Sequence, residues 1–140
     1  MYTPHTFRTG AGVYARVGVE TSAMSASPHQ LIGMLFDGAR MAIGMARLHM
    51  AAGDIVAKGN AISKAIDIVD SGLKAGLDAK AAGAAGEQLV ANLSALYDYI
   101  IQRLFQANLR NDTQALDEVE GLLDNIASAW REIDAAPARD

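Results

Sequence analysis

A run of helix-periodic apolar residues beginning at Ser27 and Pro28 constrains the fold most. The Ser27 hydroxyl suits an N-cap because it can accept a backbone N–H. Pro28 suits the first helical position because its missing N–H and fixed φ do no harm there. Before Ser27 the apolar residues follow no regular spacing, whereas after it they recur three and four positions apart. The sequence therefore predicts a helical body that starts at Ser27.

Helix one, predicted from Pro28 to about Ala52, has a wide apolar surface. At about 100° per residue its apolar side chains span about 240°, whereas one core contact needs only about 100°. Part of this surface is a stripe of methionines, Met34, Met41 and Met45. Either the helix is buried on most sides by its own chain, or the stripe receives a partner, since unbranched thioether side chains adapt to several ligand shapes.

Helix two is predicted to follow directly, with Gly53 ending helix one and Asp54 capping the next helix. It extends to about Leu77 and directs one apolar face toward a core. Its charged residues are expected to lie mostly off that face: Lys58, Lys64, Asp67, Asp70 and Lys74. Gly72 and Gly76, one turn apart, indicate either a close approach of another helix or a surface that reshapes around a partner.

Helices three and four complete the predicted body. The small residues 80–86 indicate a loop, helix three covers about 87–110, and Asp112 caps a helix over about 113–134. Helix four has apolar residues in three-four alternation, which is typical of a helix packed along a seam. Four helices joined by short loops predict an all-α fold, an antiparallel up-down four-helix bundle.

Three segments are expected along the chain. Residues 1–26, rich in Thr, Ser and Gly, predict a flexible N-terminal arm, in which Tyr14, Val17 and their neighbours could dock on the body. Residues 27–134 form the bundle, and residues 135–140, which include Pro137, form a frayed C-terminal tail.

Several function classes lack the residues they need. The chain has no cysteine and a net charge of −4, and it has no basic cluster interleaved with aromatics, which argues against disulfides and nucleic acid. No Asp or Glu precedes a histidine by three positions, and no nucleophile or phosphate-loop motif is present. No run is long enough for a signal peptide or a membrane span. We expect a cytoplasmic binding protein without cofactor, metal, enzymatic activity or membrane insertion.

The motifs in their order resemble the FliS family of flagellar secretion chaperones over about residues 13–130. These motifs are Tyr14-Ala15-Arg16-Val17, Ser27-Pro28-His29-Gln30-Leu31-Ile32, Met34-Leu35-Phe36-Asp37-Gly38, Leu96-Tyr97-Asp98-Tyr99 and the tryptophan of helix four. The resemblance implies a cytosolic export chaperone. Such a protein holds the disordered C-terminal segment of flagellin, prevents premature polymerisation and delivers it to the flagellar type III export gate.

The resemblance also implies that Tyr14 is the arm tyrosine of the family, which occupies part of the flagellin surface beforehand. The family commonly has tyrosine where this chain has Phe36, so we expect that position to pack in an apolar environment. The candidate flagellin-binding residues are Tyr14, Val17, Met34, Met41, Met45, Tyr97 and Ile101.

A second interpretation stays open. The methionine face of helix one could instead join two copies of a structural helical-bundle module. A weak homodimer of the empty chaperone is compatible with either interpretation.

Overall fold

The computed structural model describes residues 26–77 and 79–135, with side chains described for 26–77 and 86–133. Contacts divide the chain into two units, Met1–Leu31 and Ile32–Asp140. Within the described residues there are four α-helices and no strand, which confirms the all-α bundle. The helices are α1 (Pro28–Ala51), α2 (Ile55–Asp67), α3 (Ala79–Arg110) and α4 (Thr113–Ala135), and a π-helical segment (Ile68–Lys74) continues α2.

The residues predicted to begin α1 and α2 do so through hydrogen bonds. The Ser27 hydroxyl accepts the backbone N–H of Gln30 at 3.1 Å, and the Gln30 side chain accepts the backbone N–H of Ser27 at 2.9 Å. This reciprocal pair is a capping box. Gly53 has a φ of 74°, and Asp54 accepts the backbone N–H of Ala57 at 3.1 Å. Both predicted caps, Ser27 and Asp54, are thus confirmed.

The connection between α3 and α4 is equally short. Asn111 has a φ of 52°, a left-handed conformation that asparagine tolerates better than most residues. Asp112 then accepts the backbone N–H groups of Gln114 and Ala115 at 3.0 and 3.2 Å. The predicted cap of helix four is therefore confirmed, and a two-residue turn reverses the chain.

Ion pairs between α1 and α4 show that these helices are antiparallel. Arg40 on α1 contacts Asp124 on α4 at 3.1 Å. About two turns later on α1, Arg47 contacts Asp117 and Glu120, which precede Asp124 on α4. Along these contacts the residue number rises on α1 as it falls on α4, so the two helices run in opposite directions.

Contacts at two further helix interfaces also alternate in direction. Lys58 of α2 bonds to Asn108 of α3, whereas Lys74 of the π-helical segment pairs with Asp98 at 2.6 Å. On the next interface Arg103 of α3 pairs with Glu118 of α4 at 2.7 Å, just across the turn that joins these helices. Adjacent helices alternate in direction, as an up-down bundle requires.

The core lies along the inner faces of all four helices. Phe36 is 2 % exposed and belongs to this core, as expected for an apolar environment. The largest fully buried side chains are Phe36, Ile43, Ile62, Val69, Leu73, Ile100, Leu104, Leu116, Val119 and Leu123. The prediction for Lys58 was wrong. This side chain is only 4 % exposed, whereas it was expected to lie with the other charged residues of its helix, off the face toward the core.

Two boundaries differ from the prediction. Helix α3 begins at Ala79 and therefore includes the stretch 80–86, which was predicted to be a loop. Alanine has the highest helix propensity, and five alanines among residues 79–85 offset the unfavourable glycine between them. Helix two also does not remain α-helical to its end, because the backbone N–H of Ala75 donates to the carbonyl of Asp70, five residues earlier.

The π-helical segment lies where α1 approaches closely. A Cβ placed on Gly72 would lie 3.0 Å from Cδ2 and 3.2 Å from Cδ1 of Leu35. A Cβ on Gly76 would lie 3.8 Å from Cδ1 of Ile32. Both glycines therefore face α1, which supports the prediction that they mark a close approach of another helix.

Candidate binding groove

The methionine stripe of α1 points away from the core. Met41 is 72 % exposed, Met45 47 % and Met34 37 %, and Leu48 continues the stripe as a further exposed residue. The opposite side of the same helix carries the buried residues Ala39, Ile43 and Ala46. The wide apolar arc of helix one therefore serves two surfaces, one in the core and one facing solvent.

A groove of ≈ 440 Å³ runs between α1 and α2 beside this stripe. Its α1 side is formed by Gly38, Met41, Ala42, Met45 and His49, and its α2 side by Ala57, Asn60, Ala61 and Lys64. From Gly38 to His49 the α1 wall covers about 16 Å at about 1.5 Å per residue. That length accommodates about three turns of a second helix.

The spacing of small residues creates the groove. Gly38 and Ala42 are one turn apart on α1, and Ala57 and Ala61 are one turn apart on α2. The two helices therefore face each other with little side-chain volume between them, while Met41 and Met45 stand beside the groove. Flexible apolar walls around a floor of small residues suit an amphipathic helix, which buries its apolar face in such a groove.

The predicted site residues fall into three groups. Tyr14 and Val17 lie outside the described residues. Met34, Met41 and Met45 are exposed on α1, and the structure brings the last two together in the groove. These three methionines therefore form a continuous exposed stripe on one helix.

Tyr97 and Ile101 lie on the face of α3 that packs toward the core. Tyr97 is 3 % exposed, and burial raises its pKa to about 12. Ile101 is partly buried against the same core. In this structure neither residue is part of the groove wall, whereas Phe105, one turn beyond Ile101 on α3, is 58 % exposed.

The prediction missed the small and polar members of the groove. One signal was available for the small ones, because Gly38 with Ala42 and Ala57 with Ala61 share a four-residue spacing on consecutive helices. His49 and Lys64 gave no such signal, because a lone basic residue on a helix is usually only solvated.

Neither a metal site nor a membrane-spanning helix is present among the described residues. No three His, Asp or Glu side chains within residues 26–77 and 79–135 are placed to hold a metal ion. None of the helices in that part of the chain combines the length and the apolar character needed to cross a bilayer.

An exposed apolar groove on a helical bundle is the kind of surface that receives an amphipathic helix, which is typical of peptide-binding proteins. The family model described as flagellar protein FliS matches residues 10–137. The chain therefore belongs to the FliS family of flagellar secretion chaperones, which are chaperones and not enzymes. The expectation that it is not an enzyme is thereby confirmed.

Individual relatives support the same membership. The chain is 60 % identical to the flagellar secretion chaperone FliS of Salmonella typhimurium, covering 95 % of this chain and 93 % of the relative. It is 46 % identical to that of Escherichia coli, over 92 % of both chains. It is 31 % identical to that of Bacillus subtilis, over 86 % of both chains.

Proposed function

We propose that this chain holds the disordered C-terminal segment of flagellin in the cytoplasm and prevents its premature polymerisation. It then delivers the bound flagellin to the flagellar type III secretion apparatus by contact with export-gate components. Family membership supports the chaperone role, and the exposed methionine groove between α1 and α2 supports the binding of an apolar segment.

The exposed methionine stripe is the observation that carries this proposal. An apolar stripe that runs along a whole helix and stays outside the core is a liability for a monomer unless it receives a partner. Met41 and Met45 would contact the apolar face of a flagellin helix, and Met34 would extend the contact along α1.

The other candidates have different positions in this proposal. Tyr14 and Val17 remain candidates for contact with flagellin from the N-terminal segment. Because Tyr97 and Ile101 pack into or against the core, they would act by supporting α3 rather than by direct contact unless binding rearranges the helix.

Calorimetric titration of the full chain with the last ~40 residues of the cognate flagellin tests the proposal. We expect a one-to-one complex with a large negative ΔCp, because a disordered segment that folds on the groove removes apolar surface from water. Absence of heat, together with absence of a complex in gel filtration, would contradict it.

The exposed stripe also favours a second candidate, a homodimerising module in which two α1 helices bury their methionines against each other. Sedimentation of the chain alone over a wide concentration range separates the two. A stable dimer that does not dissociate on addition of the flagellin segment would favour this second function.

A further inference from the structure

The groove between α1 and α2 is lined, within the described part of the chain, by basic side chains but by no acidic ones. The sequence carries 16 acidic and 12 basic residues, yet its net charge of −4 is not reflected in the groove. Among the residues that the structure describes, those lining the groove include Lys64 and His49 but no Asp or Glu. The groove thus offers N–H donors to a ligand and no carboxylate.

Neither the Lys64 ammonium nor the His49 imidazole makes an ion pair or hydrogen bond within the described residues, unlike Lys58 and Lys74 on the same stretch of chain. A lysine without a carboxylate partner beside an apolar groove keeps its charge available for a ligand. An imidazole always retains at least one N–H donor.

The register between α1 and the end of helix two places the two donors apart. A Cβ on Gly38 would lie 3.4 Å from Ile68, and one on Gly72 would lie 3.0 Å from Leu35. Continuing this antiparallel register brings Lys64 level with about residue 42 of α1. Since His49 is seven residues further along α1, the donors are separated by about 10 Å along the groove.

From this arrangement we propose that Lys64 and His49 select an acidic amphipathic helix. The ligand directs its apolar side chains at Met41 and Met45, places an Asp or Glu beside Lys64, and places a second hydrogen-bond acceptor about seven residues away, beside His49. This inference rests on the proposed function and specifies which part of the flagellin segment lies in this groove.

Such a pair of contacts also fixes the direction of the bound helix. The methionines and small residues of the groove are apolar and would accept a helix in either direction. The ammonium group lies toward one end of the groove and the imidazole toward the other. A ligand with one carboxylate therefore binds best in the orientation that brings that carboxylate to Lys64.

The test is a charge-reversal cycle, measured by calorimetry at low salt with the full chain and the last ~40 residues of flagellin. We expect Lys64→Glu to weaken binding about tenfold, since close charge pairs at an interface are strongly coupled. Replacing the matching acidic residue of the peptide by Lys should restore most of that loss for Lys64→Glu while weakening binding to the unaltered chain.

Arg110→Glu is the matched control, because it makes the same change of charge at an exposed position on α3 that does not line the groove. We expect its affinity for the peptide to stay within about twofold of the unaltered chain. Circular dichroism of both variants shows that each remains folded.

The outcomes separate the two proposals. If the unaltered chain binds the peptide but Lys64→Glu binds it equally well, the acidic-helix inference is wrong and the proposed function stands. Equal losses in Lys64→Glu and Arg110→Glu would trace the effect to net charge and would also overturn the inference. If the unaltered chain does not bind at all, both proposals fail.

Discussion

The Nζ atom of Lys58 on α2 donates a 2.8 Å hydrogen bond to the backbone carbonyl oxygen of Asn108 on α3. The same ammonium donates to Oδ1 of Asn111 at 2.6 Å. The last carbonyls of a helix have no partner within the helix, and a cation at that end is favourable. Lys58, although it belongs to α2, therefore caps the C-terminus of α3.

Replacing Lys58 by methionine should lower the free energy of unfolding by about 2 kcal/mol. Methionine preserves much of the apolar stem but leaves the part-buried carbonyl of Asn108 without its donor. Urea unfolding measures the loss. Lys64→Met serves as the control, since Lys64 is exposed and should change stability by less than about 0.5 kcal/mol. Equal effects of the two substitutions would contradict the role assigned to Lys58.

Two glycines in helical segments should respond oppositely to alanine. Gly44→Ala should stabilise the protein by about 0.5 to 1 kcal/mol, because nothing lies within 4 Å of the added methyl group. Gly72→Ala should destabilise it by about 1 kcal/mol, because the methyl group would press on Leu35. Thermal or urea unfolding of the two variants distinguishes these signs.

The double variant Leu35→Ala with Gly72→Ala checks the cause of the second effect. Removing the Leu35 side chain relieves the overlap, so the alanine at position 72 should become less harmful in that background. If the cost of Gly72→Ala is the same with and without Leu35, the contact between these residues does not explain it.

Met45→Glu should weaken binding of the flagellin segment by at least about tenfold, because a carboxylate in the apolar groove must lose its hydration. Ile133→Glu is the matched control, since Ile133 is an exposed apolar residue on α4 outside the groove. Titration calorimetry with both variants measures the difference. Similar affinities for Met45→Glu and the unaltered chain would place the flagellin contact elsewhere.

Tyr97 should make stability fall in alkaline solution. Burial raises its pKa from 10.0 to about 12, so the unfolded chain loses this proton before the folded one does. The contribution is complete below about pH 10 and is lost as the pH rises from about 10 to about 12. Tyr97→Phe should flatten that part of the stability curve, and the tyrosinate absorbance of the native protein should lose a group that ionises near pH 12.

The helix ends were predictable from the sequence because single side chains make them. Ser27, Asp54 and Asp112 each have the residue type that accepts a backbone N–H at the start of a helix, and each does so. The start of α3 was not predictable in this way. Its glycines indicate a break, whereas the alanines around them sustain the helix, and the pattern alone does not show which effect is larger.

The site was only partly predictable, because a helical wheel gives the angle of a side chain and not the position of its neighbours. Tyr97, Ile101 and Phe105 follow one another at four-residue steps, a spacing that predicts one apolar stripe on helix three, yet Tyr97 is buried and Phe105 is exposed. Lys58 was expected to lie with the other charged residues of its helix. Its burial could not be predicted, because its partners Asn108 and Asn111 come from the end of a helix about fifty residues away. By contrast, the exposed methionines were among the predicted candidates.

The groove floor makes this bundle adjustable at the level of single methyl groups. Ala57 and Ala61 of α2 line a space that larger side chains at the same two positions would fill. Replacing Ala61 by leucine would fill the groove with an apolar side chain of the protein itself, in the space that a ligand side chain would otherwise occupy. Such a substitution would give a bundle whose groove is already filled. A graded series from alanine through valine to leucine would reduce the depth of the groove in small steps.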